Sequence, residues 1–221
     1  MSSTPCAGLL HTATVHGDTF HDLLAEAAPG VEQIHVADPR LLGAAVRTGV
    51  TPEIQTQVNR HIEHLVASGA TAVLVTCSSI GEAVEAASKQ AAVPVLRVDE
   101  PMAREAAAIA GRTGRIAILA TLQSTLGPTT RLVRGAAAED AEIIAEVVAG
   151  AADARLAGDQ ATHDDLIRNA IAATQADVVV LAQATMAPAA NGDRVLTSPR
   201  SGVAALVEAI RQAQPDGGVD R

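Results

Sequence analysis

The chain contains no tryptophan and no tyrosine, and Phe20 is its one phenylalanine. Stacking platforms for exposed bases are therefore missing, and a formal net charge of −9 repels a phosphate backbone. Nucleic acid is not an expected partner. Cysteine is scarce too, since Cys6 and Cys77 are too few for a disulfide framework. Cys6 opens one predicted strand and Cys77 closes another, so a parallel sheet puts them at opposite edges. A strand of six residues spans about 20 Å, and both side chains are expected to be thiols. No apolar run reaches the ~18 residues of a membrane span, and Met1–Pro5 lack the charged and apolar regions of a secretory leader. The expectation is a soluble, cytoplasmic protein without a membrane partner.

Several motifs are missing as well. There is no P-loop, no glycine fingerprint after the first strand and no GxSxG elbow, which removes support for nucleotide cofactors and serine-hydrolase chemistry. His61, Glu63 and His64 share a helix, but not at zinc-protease spacing. Neither a cofactor nor a metal site is expected.

What the sequence has is rhythm. The apolar residues, 48% of the chain, are mostly Ala, Val, Leu and Ile. Short β-branched runs alternate with longer Ala-rich amphipathic stretches. Strands are expected over 7–12, 33–37, 72–76, 93–98, 115–120, 141–147, 177–182 and 194–197. Helices are expected near 17–27, 51–68, 79–91, 101–112, 122–136, 159–175 and 201–213. In 51–68, Ile54, Val58, Ile62, Leu65 and Val66 form one stripe, Thr51-Pro52 caps the start and Gly69 ends it. Alternating strand and helix implies an α/β fold with mainly parallel sheets and helices on both faces.

The rhythm also repeats. Leu9-Leu10-His11-Thr12 is echoed by Ile118-Leu119-Ala120-Thr121, Val73–Cys77 by Val179–Ala184, and Val95-Leu96 by Val195-Leu196, each about 100–109 residues later. Three landmarks in constant order predict two similar three-layer α/β halves related by a pseudo-two-fold, with the active site in the cleft between them. The expected division is 1–100 plus 201–221 against 101–200.

Cys77 is the leading chemical candidate. It follows a buried-strand run, Val73-Leu74-Val75-Thr76, and precedes Ser78-Ser79-Ile80-Gly81-Glu82, where Ser79 and Glu82 have capping-box spacing. A thiol at such a turn meets backbone N–H groups and a positive helix end, both of which stabilise thiolate. The competing reading is an inert core thiol, because cysteine is among the most buried residue types. Other polar residues gather at the same predicted edge: His11 and Thr12 after the first strand, Glu100 after the fourth, Thr121 and Ser124 after the fifth, Gln183 and Thr185 after the seventh, Ser198 after the eighth. Each is also an ordinary cap or turn residue. Together with Ser78 and Ser79 they are what a carboxylate needs, since it accepts up to four hydrogen bonds.

Thr76-Cys77-Ser78-Ser79, Val93-Pro94-Val95 leading to Asp99-Glu100-Pro101, Ile118–Thr121, Val180–Thr185 and Ser198-Pro199 resemble the aspartate/glutamate/hydantoin racemase superfamily. The resemblance runs from Leu9 to about Ile210. It implies two α/β halves, no cofactor, a small carboxylic acid as substrate, a homodimer or higher homo-oligomer, and one cysteine per half working on opposite faces of the substrate. Here Cys77 matches the first cysteine, while the second position reads Gln183-Ala184-Thr185. Inversion by two thiols is therefore not available. Three readings stay open. Thr185, or a water held by Gln183, completes a racemase or isomerase. Alternatively, Cys77 acts once as proton donor in a decarboxylase or lyase, or adds to a double bond as a nucleophile. A non-catalytic small-acid binding protein is the reading from another class.

Overall fold

The computed structural model describes residues 5–213. The chain runs β1 (Cys6–His11), α1 (His16–Ala27), β2 (Glu32–Ala37), α2 (Pro39–Thr48), α3 (Pro52–Ala67), β3 (Ala72–Val75), a 3-10 turn (Ser78–Ile80) continuous with α4 (Gly81–Ser88), and β4 (Val95–Arg97). It continues through α5 (Glu100–Ala110), β5 (Arg115–Ala120), α6 (Gln123–Ala136), β6 (Glu142–Val147), α7 (Ala151–Leu156), α8 (Gln160–Ala173), β7 (Val178–Leu181), a 3-10 turn (Ala184–Ala189), β8 (Val195–Thr197) and α9 (Ser198–Ala213). The strands form two parallel four-stranded sheets of one topology, β2-β1-β3-β4 and β6-β5-β7-β8. The two α/β halves expected from the repeat are present.

By compactness the described chain divides into one unit of residues 5–76, 82–98 and 202–213, and a second of 77–81 and 99–201. The segment Cys77–Gly81 thus follows β3 in sequence but belongs to the second unit. α9 starts in the second unit, and its body from Gly202 belongs to the first.

The central strands β1, β3 and β7 are buried throughout, and β5 from Ile116 onward, while the edge strands β2 and β6 carry the polar residues Glu32, Gln33, His35, Glu142 and Glu146. A parallel sheet covered on both faces demands this pattern. In the second unit the strand period sorts the core. Ile116, Ile118, Ala120, Val178 and Val180 face Met102, Ala106 and Val133. Ala117, Leu119, Val179 and Leu181 face Ala151, Ile167, Ile171, Met186 and Ala189.

Two helices were not expected, α2 and α7. The first had a readable signal: Asp38 accepts a hydrogen bond from the Arg40 backbone and Pro39 occupies the first turn. α7 has six residues, too few for a helical stripe to show. The capped helix α3 is as expected, with the Thr51 hydroxyl accepting from the Ile54 N–H and Gly69 at φ +106° beyond its end. Ser79 does not cap α4. It lies inside the 3-10 turn, whose N-cap is Cys77.

Gly202 gives a stability prediction. A Cβ there would lie 2.8 Å from Val98 Cγ2 and 2.9 Å from the Val98 carbonyl oxygen. Gly202→Ala should therefore lower stability by about 1–3 kcal/mol, through overpacking against a backbone atom that cannot swing aside. Denaturant melts read this directly, and an unchanged midpoint would mean that α9 yields without cost.

Candidate active site

Both sheets reverse their winding between the first two central strands, at β1/β3 and β5/β7. Open parallel sheets bind ligands outside the carboxyl ends of their strands at that switch point. In the second unit those ends carry Thr121 after β5, Gln183 after β7 and Ser198 after β8.

Cys77 belongs to this unit. Its backbone is extended, at φ −132° and ψ 113°, and it immediately precedes the turn that runs into α4. The thiol is half-buried, and neither cysteine is in a disulfide. Two buried serines fix the turn. Ser78 Oγ donates to the Ala182 carbonyl oxygen at 3.1 Å, and Ser79 Oγ pairs with Thr125 Oγ1 of α6 at 2.9 Å. Both serines therefore hold the cysteine segment, and their hydroxyls are committed.

Gln183 occupies the position equivalent to Cys77. It stands one residue beyond Ala182 as Cys77 stands one beyond Thr76, extended at φ −125° and ψ 137°, and opens the second 3-10 turn. Its carboxamide is fastened across the switch point. Oε1 accepts the Thr121 backbone N–H at 2.6 Å, and Nε2 donates to Thr121 Oγ1 at 2.9 Å. A carboxamide does not gain or lose a proton at ordinary pH and so cannot act as the base. Close by in the fold, Ser124 Oγ, Thr185 Oγ1 and Ser198 Oγ are buried without a hydrogen-bond partner among the described residues, as are Thr129 and Thr130 further along α6. Leaving such a group unpaired costs about 1–3 kcal/mol, so these hydroxyls are suited to an oxygen-rich ligand. Glu100 is not among them: it begins α5 and pairs with Arg104 one turn on.

The switch point of the first unit holds a histidine chain. Thr76 Oγ1 meets His11 Nδ1 at 2.8 Å, His11 Nε2 meets His35 Nδ1 at 2.9 Å, and His35 Nε2 meets Gln33 Oε1 at 2.9 Å. The direction is set at the far end. Gln33 Nε2 donates to the His21 carbonyl at 3.3 Å, so its Oε1 accepts from His35 Nε2–H. With both rings neutral, His11 Nε2–H then donates to His35, and the Thr76 hydroxyl shares its proton between His11 Nδ1 and the Leu10 carbonyl oxygen at 3.3 Å. Burial first, then the neighbouring His35 and His16, push His11 down to about 3. His35 is lowered by burial and by His21. Thr12 is buried just beyond β1. A separate cluster surrounds Asp38, whose carboxyl is held down to about 2 mainly by hydrogen bonds from the Arg40 side chain, with His61 Nε2 at 3.0 Å. Among the described residues no group of three His, Cys, Asp or Glu is placed to hold a metal ion.

The Asp/Glu/hydantoin racemase family model matches residues 18–210. The chain belongs to the Asp/Glu/hydantoin racemase family. No curated protein matches it. Among solved structures it is similar to glutamate racemase isoform RacE1 from Bacillus anthracis, with 16% identity over 96% of this chain and 84% of that one and a TM-score of 0.74. Picrophilus torridus aspartate racemase gives 14% identity over 94% of each chain, TM-score 0.70. Allantoin racemase from Klebsiella pneumoniae gives 17% identity over 97% and 91%, TM-score 0.65. At these identities the likeness is one of fold.

Within this Asp/Glu/hydantoin racemase-family chain, the second unit contains Cys77, Ser78, Ser79, Thr121, Ser124, Gln183, Thr185 and Ser198, of which Thr121 and Gln183 are in direct contact. His11 and Thr12 lie in the first unit with the histidine chain. Sequence reasoning passed over His35 and Gln33, which sit on an edge strand where polar residues carry no signal. Among the described residues no helix is long and apolar enough to cross a membrane.

Proposed function

We propose that the chain is a cofactor-independent racemase or isomerase acting at the carbon next to the carboxylate of a small acid, with Cys77 as its thiol or thiolate. The observation that carries this reading is a half-buried thiol at the head of a continuous 3-10 and α4 run, pinned by Ser78 and Ser79 in the same unit as buried, unpartnered hydroxyls. Backbone N–H groups at such a helix head favour the thiolate, which can take a proton from carbon. As the proton leaves, negative charge moves onto the carboxylate oxygens. Donors such as Ser124, Thr185 and Ser198 then bind the enediolate more tightly than the acid, which is the condition for catalysis. The scarcity of aromatic residues favours short aliphatic or hydroxylated acids. The assembly proposed is a homodimer or larger homo-oligomer, read out by light scattering.

Gln183 favours a second reading. Its fastened carboxamide offers no base where a second thiol would stand. A single thiol suffices for decarboxylation, in which Cys77 only protonates the carbanion left by CO2. Enantiopure aspartate, glutamate and malate, followed by chiral chromatography, and substituted malonates, followed by CO2 release, separate the two. Loss of optical purity at constant carbon count supports the isomerase, and CO2 release the decarboxylase. Neither, with any of these acids, would count against both. Thr185→Ala and Ser198→Ala should lower kcat and kcat/KM together, since the bonds they remove strengthen as charge moves onto the carboxylate.

A further inference from the structure

Ala182 N–H donates to the Leu119 carbonyl at 2.9 Å, and a regular parallel ladder would follow with Thr121 N–H donating to the Ala182 carbonyl. That step is missing. Ser78 Oγ donates to the Ala182 carbonyl at 3.1 Å, and the Thr121 N–H goes to Gln183 Oε1 at 2.6 Å. Ser78 follows Cys77 in the chain and Ala182 precedes Gln183, so one bond ties the thiol's turn to the carboxamide's within the second unit. The bonds also fix which way the carboxamide faces. A backbone N–H only donates, so the atom 2.6 Å from it is oxygen. Oε1 accepts twice, from the Thr121 N–H and from the Thr121 hydroxyl at 3.1 Å, which fills its lone pairs. Thr121 Oγ1 lies within reach of both Oε1 and Nε2, so the Nε2–H that it accepts at 2.9 Å is the one on the carbonyl side of the amide. The second Nε2–H points away from Thr121 and has no partner among the described residues. The carboxamide thus offers one donor and no free lone pair. On the other side of β7, β8 leads into Ser198, whose fully buried Oγ is also without a partner among the described residues.

We infer that Gln183 is a substrate-binding residue, whose outward Nε2–H, with the Thr121 hydroxyl beside it, holds the carboxylate next to the reacting carbon. This rests on the small-acid reading of the site. It gives the position of the absent second thiol the task of binding charge rather than moving a proton. An ionised carboxylate only accepts hydrogen bonds, and an ammonium group only donates them. The pair therefore takes the carboxylate of an amino or hydroxy acid and turns its amino group elsewhere. As the proton leaves carbon and charge gathers on the carboxylate oxygens, these bonds strengthen.

Two substitutions separate binding from a structural role. Gln183→Glu keeps an oxygen for the Thr121 N–H but sets negative charge against the ligand's carboxylate. Gln183→Met fills the space and keeps neither donor nor acceptor. A clasp that only holds the fold makes Gln183→Glu the milder change in every readout. The binding role predicts that the orders cross. Gln183→Met should have the lower melting temperature, and Gln183→Glu the weaker affinity for malate, aspartate and glutamate, measured by calorimetry on the full chain. The expected loss of affinity is about 10-fold in Gln183→Met and about 100-fold in Gln183→Glu, the range for a hydrogen bond to a charged group. In labelled wild-type protein, the Gln183 side-chain amide is identified by its absence in either variant. One of its two protons should shift as these acids are added. Full affinity in Gln183→Glu, or an amide pair unmoved by an acid that binds, overturns the assignment and leaves the isomerase reading standing. The predicted order of affinities, with neither α-proton exchange nor inversion in the wild type, keeps the carboxylate site and overturns the isomerase reading. Binding of none of the three acids by the wild type overturns both.

Discussion

Cys77→Ala and Cys77→Ser should lower kcat/KM by a factor on the order of 10⁴, the upper end of what one acid–base group supplies, and leave the fold intact. The thiol is half-buried, and Ser78 and Ser79 hold the turn that carries it. Little core contact is lost, so the melting temperature should stay close to wild type. Serine keeps the shape but not the acidity, and it separates a packing role from proton transfer. Cys6→Ser is the control. Cys6 is buried at the start of β1, its thiol pushed up by burial and by Glu32, and it should leave turnover unchanged. Retained activity in Cys77→Ser, or its loss in Cys6→Ser, would mean the chemistry lies elsewhere.

The second large effect is on acid stability. His11 titrates near 3 in the folded chain, against an ordinary value of 6.5. Above pH 6.5 the ring is neutral in both folded and unfolded chains, and proton uptake costs the fold nothing. Between pH 6.5 and about 3 the unfolded chain binds a proton that the folded chain refuses, so stability falls as pH falls. The slope approaches about 1.4 kcal/mol per pH unit for one full proton, and below about 3 it levels off. His35 is shifted in the same sense and adds to the slope. Asp38 acts lower on the scale. With its folded value near 2 and an ordinary value of 3.8, its contribution is complete above 3.8 and disappears as pH falls through 2. In His11→Gln the ring and its proton are gone. Stability at neutral pH drops because Thr76 and His35 lose a partner, but the dependence between pH 6 and 4 should flatten by up to one proton. Urea melts across that range read the slope, and a slope identical to wild type would show that His11 takes its proton in the folded state.

Much of the fold was legible because its core strands are short β-branched runs, such as Val73–Val75 and Val178–Leu181, set between helices with clear stripes such as Ile54, Val58, Ile62 and Leu65. The repeat was legible for the same reason: Cys77 and Gln183 sit at equivalent turns because both follow a buried strand by two residues. α2 escaped because Asp38-Pro39 reads as a turn unless the cap is recognised. In the site, the type and edge position of Cys77, Gln183, Thr185 and Ser198 could be read from spacing. Their partners could not. That Ser79 pairs with Thr125 rather than capping, that Gln183 grips Thr121, and that His11 reaches His35 from another strand are long-range facts. No local pattern encodes them. His163 carries no distinctive signal in the sequence, because a histidine near a helix start usually has an ordinary structural role. Only its burial and its unpaired Nε2 set it apart.

The most direct test of Cys77-centred proton transfer is solvent-deuterium incorporation, read by NMR, into a panel of small amino, hydroxy and dicarboxylic acids with wild-type and Cys77→Ala protein. The account predicts deuterium at the carbon next to a carboxylate with the wild type and none with Cys77→Ala. Binding of these acids without exchange in either protein, or equal exchange in both, would contradict it.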